Sequence, residues 1–117
     1  MDARLVAFGV IEVEGQRYEH DVVIDRGQVR KRQKGPSKGA RAEYGHTPLT
    51  AAEAIPWGGT RLIVGTGHDG QLPVTGDLHE EARRQGVQVI VLPTAEACVL
   101  IDGIKAKDVR AILHITC

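Results

Sequence analysis

The sequence predicts an α/β fold with a mixed central sheet, built from an amino-terminal antiparallel β meander followed by a β-α-β-α-β unit. Short β-branched segments joined by turn signals fill the first third of the chain. Further on, an apolar run ends in the glycine-rich segment Gly65–Gly70, and a helix signal and a second apolar run follow. That order is typical of two parallel strands joined by a crossover helix. At 117 residues, a single domain over 1–117 is expected.

The meander is predicted from three segments. Leu5–Val13 and Tyr18–Ile24 are rich in β-branched residues and are interpreted as strands, and Val29–Arg32 as a short third strand. The turn signals Glu14-Gly15 and Asp25-Arg26-Gly27 separate them. Tight turns between successive strands predict antiparallel pairing.

The middle of the chain predicts little regular structure. Residues 33–48 contain several glycines and prolines without periodicity, which indicates a long polar loop. Thr50-Ala51-Ala52-Glu53 fits a capping box and predicts a short helix that Pro56 ends.

The second half alternates strands and helices. Apolar runs predict strands over 62–64, 87–92 and 109–116. Thr75 is predicted to cap a helix that Gly86 ends, and Thr94 a helix that runs to about residue 101.

Composition favours a cytoplasmic protein with reduced thiols. Apolar residues make up 42% and charged residues 26% of the chain, and no apolar run reaches the ~20 residues that cross a bilayer. The first residues lack the layout of a secretory signal, and two cysteines do not form a disulfide framework. No membrane association is expected.

Charge is distributed unevenly along a chain of zero net charge. Residues 26–41 hold seven cations and no acid, so the remainder carries a net charge of −7. This basic segment is interpreted as a surface for an acidic protein partner, as a grip on nucleic-acid phosphates, or as a solvated loop. Scarce aromatic residues weaken the nucleic-acid interpretation. The candidate partner-binding residues are Arg30, Lys31, Arg32, Lys34, Lys38 and Arg41.

The glycine-rich segment marks a second candidate site, because ligands of open sheets lie beyond the carboxyl ends of strands. Dinucleotide binding is disfavoured, because the helix starts several residues after Gly70 and the next strand ends without an acid. Two interpretations remain: a loop that needs glycine for packing, or amides that cradle a small anion. The candidate ligand-binding residues are Gly65, Thr66, Gly67, His68 and Gly70.

No catalytic or metal-binding set is evident in the sequence. His68-Asp69 are adjacent, so their side chains are expected to diverge, and the five histidines show no metal spacing. His114 and Cys98 lie in apolar surroundings that are typical of core positions. The only serine, Ser37, has no adjacent histidine. No catalytic residue, metal or cofactor is predicted.

Several motifs together resemble a known family. They are Phe8-Gly9-x-Ile11-x-Val13, Tyr18-x-x-Asp21-Val22-Val23-Ile24, Tyr44-Gly45-His46-Thr47-Pro48-Leu49, Ile63-Val64-Gly65-Thr66-Gly67-x-x-Gly70-x-Leu72-Pro73-Val74, Val91-Leu92-Pro93-Thr94-x-Glu96-Ala97 and Ala111–Cys117. The chain resembles small bacterial and archaeal domains of unknown function. Their eukaryotic relatives include the adipogenesis-associated Mth-domain protein and a mitochondrial respiratory complex I assembly factor.

The resemblance implies a three-layer α/β domain with a mixed five-stranded sheet. It implies no established activity or cofactor, and it hints at a role in assembly. The sequence hypothesis is therefore a non-enzymatic protein-binding or assembly module, monomeric or homodimeric, that uses the basic segment. The alternatives are a small-molecule or anion-binding protein or enzyme with a pocket at residues 65–70, and nucleic-acid binding through residues 26–41.

Overall fold

The fold contains two β-sheets and three α-helices, as seen in a computed structural model that describes residues 1–117. A small antiparallel sheet has the strand order β1-β2-β3, and a mixed five-stranded sheet has the order β5-β4-β8-β6-β7. The strands are β1 (Ala3–Ala7), β2 (Val10–Val13), β3 (Gln16–Tyr18), β4 (Val22–Asp25), β5 (Gln28–Lys31), β6 (Arg61–Thr66), β7 (Gln88–Leu92) and β8 (Arg110–His114). The helices are α1 (Arg41–Tyr44), α2 (Gly76–Gln85) and α3 (Thr94–Asp102), with 3₁₀ turns at Gly35–Ala40 and Ala106–Asp108.

The mixed five-stranded sheet agrees with the prediction. β6 pairs in parallel with β7 on one side and with β8 on the other, while β4 pairs antiparallel to β8 and β5. As a result, β5, β6, β7 and β8 all finish at one end of the sheet, where β4 begins. This end is called the carboxyl end below. β5 and β7 are the edge strands.

Period-2 alternation in the central strands divides the core into two faces. One face presents Val22 and Ile24 of β4 and Ile63 of β6, and it packs against α3 and the small sheet. The opposite face presents Val23, Leu62 and Val64, and it packs against α2 and the segments around Leu49 and Leu72. The result is three layers, with the large sheet in the middle.

The amino-terminal strands differ from the predicted boundaries. The predicted strand over 5–13 is a hairpin, because Phe8-Gly9 makes a turn in which Gly9 has φ 81°. The predicted strand over 18–24 is also two strands: β3 belongs to the small sheet and β4 to the large one. The meander is therefore formed by residues 3–18, while β4 and β5 form a hairpin in the large sheet. The third predicted strand, Val29–Arg32, is present but shifted by one residue to Gln28–Lys31.

The predicted helix at Thr50–Glu53 does not form, and these residues make a turn instead. The reason is the Glu53 side chain, which binds a buried arginine rather than the backbone of Thr50. The loop predicted over 33–48 contains two helical turns, Gly35–Ala40 and α1. Gly45 ends α1 with φ 75°, a left-handed conformation that is strained in residues with a side chain.

The helices α2 and α3 are confirmed, but their threonines act differently from simple caps. Gly86 ends α2 in the left-handed conformation, as predicted. The Thr75 hydroxyl, which has a single proton to donate, lies within hydrogen-bond distance of two acceptors, the carbonyl of Leu49 and the Asp77 carboxylate. Thr94 is the first residue of α3, and its hydroxyl serves the glycine-rich loop described below. None of the helices is both long enough and apolar enough to span a bilayer.

Candidate functional site

A buried arginine lies at the carboxyl end of the large sheet. Arg32 follows β5, retains only 3% of its exposure, and donates Nε and Nη2 to the two carboxylate oxygens of Glu53, at 2.8 Å each. Its Nη1 donates to Asp21 Oδ2 at 2.9 Å, and its Nη2 also reaches the carbonyl of Pro48 at 3.1 Å. Burial lowers the pKa of Arg32, but the hydrogen bonds and charges of Glu53 and Asp21 outweigh it and leave that pKa raised. The guanidinium stays charged between its two partners.

Asp21 joins three strand ends. In the register of the sheet, Val22 pairs with both Lys31 and Leu113, so Asp21 lies beside the residues that follow β5 and beside the end of β8. Its carboxylate accepts from Arg32, from the His114 ring Nδ1 at 2.8 Å and from the amide of Ile115 at 3.0 Å. Burial raises the pKa of Asp21, but the His114 contact, the Ile115 amide and the Arg32 charge outweigh it, so the pKa is lowered overall.

Glu53 ties the loop after β5 to the sheet. Ser37 Oγ donates to Glu53 Oε2 at 2.6 Å and lies 2.7 Å from Thr50 Oγ1. Thr50 Oγ1 also accepts from the amide of Ala52. All of these side chains are buried, so the polar groups satisfy one another away from water. The loop that carries the basic residues is thereby held in one position.

A cleft of about 370 Å³ opens beside this network. Lys34, Lys38 and Arg41, from the loop after β5, line this cleft together with Gln71 and Leu72, which follow the glycine-rich loop. Its size is within the range of small-molecule sites. The lining is polar, with two apolar residues among twelve. The other lining residues are Arg32, Gly45, His46, Thr47, His114, Thr116 and Cys117.

The charge of the cleft is one-sided. Its lining contains four Lys or Arg residues and two histidines, and no Asp or Glu. Arg32 is neutralised by Asp21 and Glu53. Lys34, Lys38 and Arg41 are exposed and take part in no ion pair or side-chain hydrogen bond of the structure. Low-dielectric walls lined by one sign of charge concentrate ions of the opposite sign.

The glycine-rich loop packs against the residues that follow β8. A Cβ on Gly65 would lie 2.8 Å from Thr94 Oγ1, and one on Gly67, whose φ is 110°, would lie 2.5 Å from the carbonyl oxygen of Thr116. Both positions therefore need glycine. The parallel pairing of the two strands around this loop and α2 is confirmed.

The backbone amides of the glycine-rich loop donate hydrogen bonds to acceptors within the protein. The Gly67 amide donates to Thr94 Oγ1 at 2.8 Å, and the His68 amide donates to the carbonyl of Thr116 at 2.7 Å. The remaining amides through Leu72 donate to backbone carbonyls of Cys117, Gly67 and Thr66. The buried Thr66 hydroxyl donates to the carbonyl of Leu92. The exposed His68 contacts the Phe8 ring, and its Nδ1 lies 2.9 Å from Asp69 Oδ1, so the expectation that these adjacent side chains diverge is wrong.

The structure brings the two predicted sites together only in part. Lys34, Lys38 and Arg41 share the cleft with Gln71 and Leu72, which follow the glycine-rich loop. None of Gly65, Thr66, Gly67, His68 and Gly70 lines it. Arg30 donates to the carbonyl of Ala54 outside the cleft, and Lys31 borders a second depression that includes Glu19 and His20. The ligand role of the glycine-rich loop stays a prediction.

Sequence reasoning missed the residues at the centre of this site. Asp21, Glu53 and His114 come from distant parts of the chain, and no local pattern links them to Arg32. The one available signal was the position of two acids, Asp21 and Glu53, on either side of the basic segment. The core assignment of Cys98 is confirmed: burial, with the charge of Asp102, raises the pKa of its thiol to about 11.

Comparison with solved structures supports the same fold. Conserved hypothetical protein PH1505 from Pyrococcus horikoshii OT3 superimposes with a TM-score of 0.77 at 28% identity, covering 100% of both chains. The protein MT938 gives a TM-score of 0.67 at 25% identity, covering 95% of this chain and 94% of its own. Xanthomonas campestris XCC1710, at 16% identity and a TM-score of 0.60, shares the fold over 98% of this chain and 86% of its own.

The sequence profile of one family matches residues 4–114, nearly the whole chain. The chain belongs to this family, which is described as protein of unknown function (DUF498/DUF598). No curated protein matches the chain. The similar structures are uncharacterised proteins, so the function has to be argued from the site itself.

Substitution of Arg32 tests how much the buried network contributes to the stability of the fold. Replacing it, as Arg32→Met, leaves Asp21 and Glu53 buried without their cation, and we expect the free energy of unfolding to fall by about 3–5 kcal/mol. Lys31→Met removes a neighbouring exposed cation and should change the free energy of unfolding by less than about 0.5 kcal/mol. Urea titration followed by circular dichroism measures both. Equal losses in the two variants would contradict a structural role for the Arg32 network.

Asp21 predicts a pH dependence of stability. Because its pKa is lowered in the folded state, the unfolded chain binds more protons, so stability rises with pH in this range. The contribution of Asp21 is fully present above its unfolded pKa of about 3.9 and is lost as pH falls through the lower folded value.

The variant Asp21→Asn isolates this contribution. The difference in unfolding free energy between wild type and Asp21→Asn should be constant near neutral pH and should shrink below about pH 5. Urea midpoints measured across that range test this, with the exposed-site variant Asp108→Asn as control. A gap that stays constant in acid would show that ionised Asp21 contributes nothing.

Proposed function

We propose that this protein binds a small anion, carrying a carboxylate or a phosphate, in the cleft between the basic loop and residues 71–72. The observation that carries the proposal is a lining with three exposed, unpaired cations and no Asp or Glu side chain. The buried Arg32–Glu53 pair supports it, because it fixes the loop backbone and so reduces the ordering cost of binding. The polar lining favours charged ligands over apolar ones.

The position of the cleft gives further support. It lies beyond the carboxyl ends of β5 and β8, where open α/β sheets bind their ligands. The side chains of Lys34, Lys38 and Arg41 would contact the anion. The amides of residues 67–72 would not, because each already donates within the protein. Binding therefore depends on side-chain charge and should weaken as salt is raised.

Titration with inorganic phosphate and with succinate tests the proposal. We expect wild type to bind at least one of them with a dissociation constant of about 1 mM or below. The triple variant Lys34→Gln, Lys38→Gln, Arg41→Gln should bind about tenfold more weakly or worse. A matched control with the same charge change is Arg83→Gln, Lys105→Gln, Lys107→Gln, outside the cleft. Calorimetry or amide chemical shifts report binding; equal affinities in the two triple variants would refute the proposal.

A protein partner is the second candidate. Arg30 and Lys31 on the edge strand β5, and Arg26 in the turn before it, are exposed outside the cleft and form no ion pair. Exposed cations without ion-pair partners at an edge strand suit an acidic protein surface. The motif resemblance to the Mth-domain protein and the complex I assembly factor supports this candidate. Under it, the protein acts as a cytoplasmic assembly module.

Affinity purification of the tagged protein from its own cells separates the two candidates. Under the second one, the variant Arg26→Gln, Arg30→Gln, Lys31→Gln should lose the specific co-purifying protein. The cleft variant at Lys34, Lys38 and Arg41 should retain it, since only the edge strand would make contact. Recovery of the same partner with the edge-strand variant would exclude β5 as the contact surface.

A further inference from the structure

Three side chains form a hydrogen-bonded chain that ends at the cleft. Asp21 Oδ2 lies 2.8 Å from His114 Nδ1, and His114 Nε2 lies 3.2 Å from Thr116 Oγ1. Asp21 is buried, the His114 side chain retains 14% of its exposure, and Thr116 lines the cleft. A carboxylate, an imidazole and a hydroxyl in this order are the groups that activate an alcohol nucleophile.

The surroundings determine which nitrogen of His114 carries the proton. Ionised Asp21 can only accept, and it already accepts from Arg32 and from the Ile115 amide. Neutral His114 therefore donates through Nδ1–H to Asp21, which leaves Nε2 as an acceptor facing the Thr116 hydroxyl. This tautomer is the one that a general base requires.

We propose that Thr116, with His114 as general base and Asp21 as its positioning residue, is the nucleophile of an esterase activity toward esters whose acyl group bears a carboxylate. The proposal rests on the anion-binding cleft described above. Lys34, Lys38 and Arg41 would hold the acyl carboxylate and offset the negative charge that develops on the attacked carbonyl oxygen.

The chemistry consists of two transfers. Thr116 Oγ bonds to the ester carbonyl carbon as its proton passes to His114 Nε2. The tetrahedral adduct then breaks its bond to the alcohol oxygen, which leaves with the proton from His114. Water attacks the resulting Thr116 ester, gives a proton to His114 and releases the acid, while the proton returns to Thr116 Oγ. The two steps together consume one ester and one water, and they need no oxidant or reductant.

The probes are the monoester of succinate with 4-nitrophenol and the uncharged 4-nitrophenyl butyrate. Wild type should hydrolyse the succinate ester with a kcat/KM about tenfold or more above that for the butyrate. Thr116→Val should lower kcat/KM for the succinate ester on the order of a hundredfold, and Thr116→Ser should restore much of the loss. Intact-mass and peptide analysis of quenched reactions should find the succinyl group on Thr116.

Cys117 provides the control, because its thiol lines the same cleft and is the alternative nucleophile. Cys117→Ala should remain active, and its acyl group should still be found on Thr116. Activity that depends on Cys117, or acylation found there, would overturn the proposal. So would a Thr116→Val variant with the wild-type rate.

Failure of this proposal is distinguishable from failure of anion binding. If succinate binds and its ester is not hydrolysed, the activity is refuted while the binding site stands. If succinate and phosphate both fail to bind, the cleft proposal itself is lost. Asp21→Asn supplies a separate readout: it should lower kcat for the succinate ester while KM and the affinity for succinate stay unchanged, a split that a merely structural role for Asp21 would not produce.

Discussion

The guanidinium of Arg32 is the constraint on which the rest of the carboxyl end depends. A buried cation is costly unless opposite charges and acceptors surround it, and here Asp21, Glu53 and the carbonyl of Pro48 do so. Asp21 precedes β4, whereas Pro48 and Glu53 both lie in the loop that precedes β6. Satisfying one side chain therefore fixes the start of β4, the end of β5 and the loop that precedes β6 relative to one another.

This arrangement explains how a cationic cleft exists beside two carboxylates. Asp21 and Glu53 both pair with Arg32, and Glu53 also accepts from Ser37, so both carboxylates are hydrogen-bonded inside the protein, with one cation between two acids. Lys34, Lys38 and Arg41 stand on the same loop with no such partners, and their charge is available to the cleft. The buried pairs thus serve the position of the loop, while the exposed cations set the potential that a ligand meets.

The sequence predicted the elements of the second half well, because each has its own local signal. The capping and stop residues of α2 and the continuous apolar runs of β6 and β8 depend little on distant contacts. The first half was harder. The Phe8-Gly9 turn lay inside an apolar stretch, and the break between β3 and β4 has no glycine or proline to mark it.

Prediction of the site was limited because its central residues come together only in the fold and have no local sequence signal. The basic segment and the glycine-rich loop were visible as local patterns, and three of the predicted cations line the cleft. Arg32 looked like its exposed neighbours, since only the fold brings Glu53 to it. Glu53 satisfied a helix-capping pattern and was drawn into the buried network instead. Thr116 and His114 lay within an apparently apolar strand, so their juxtaposition with Asp21 depends entirely on the pairing of β4 with β8.

The placement of Arg30 and Lys31 on the edge strand β5 has a consequence for solubility. An open strand edge offers unpaired backbone groups that template association with other chains, and charged side chains, lysine above all, discourage it. The opposite edge, β7, carries the exposed Val91 and lacks that protection. Chemical modification that neutralises the β5 cations would leave both edges of the sheet prone to aggregation. These charges therefore help to keep the molecules apart in solution, whatever the protein binds.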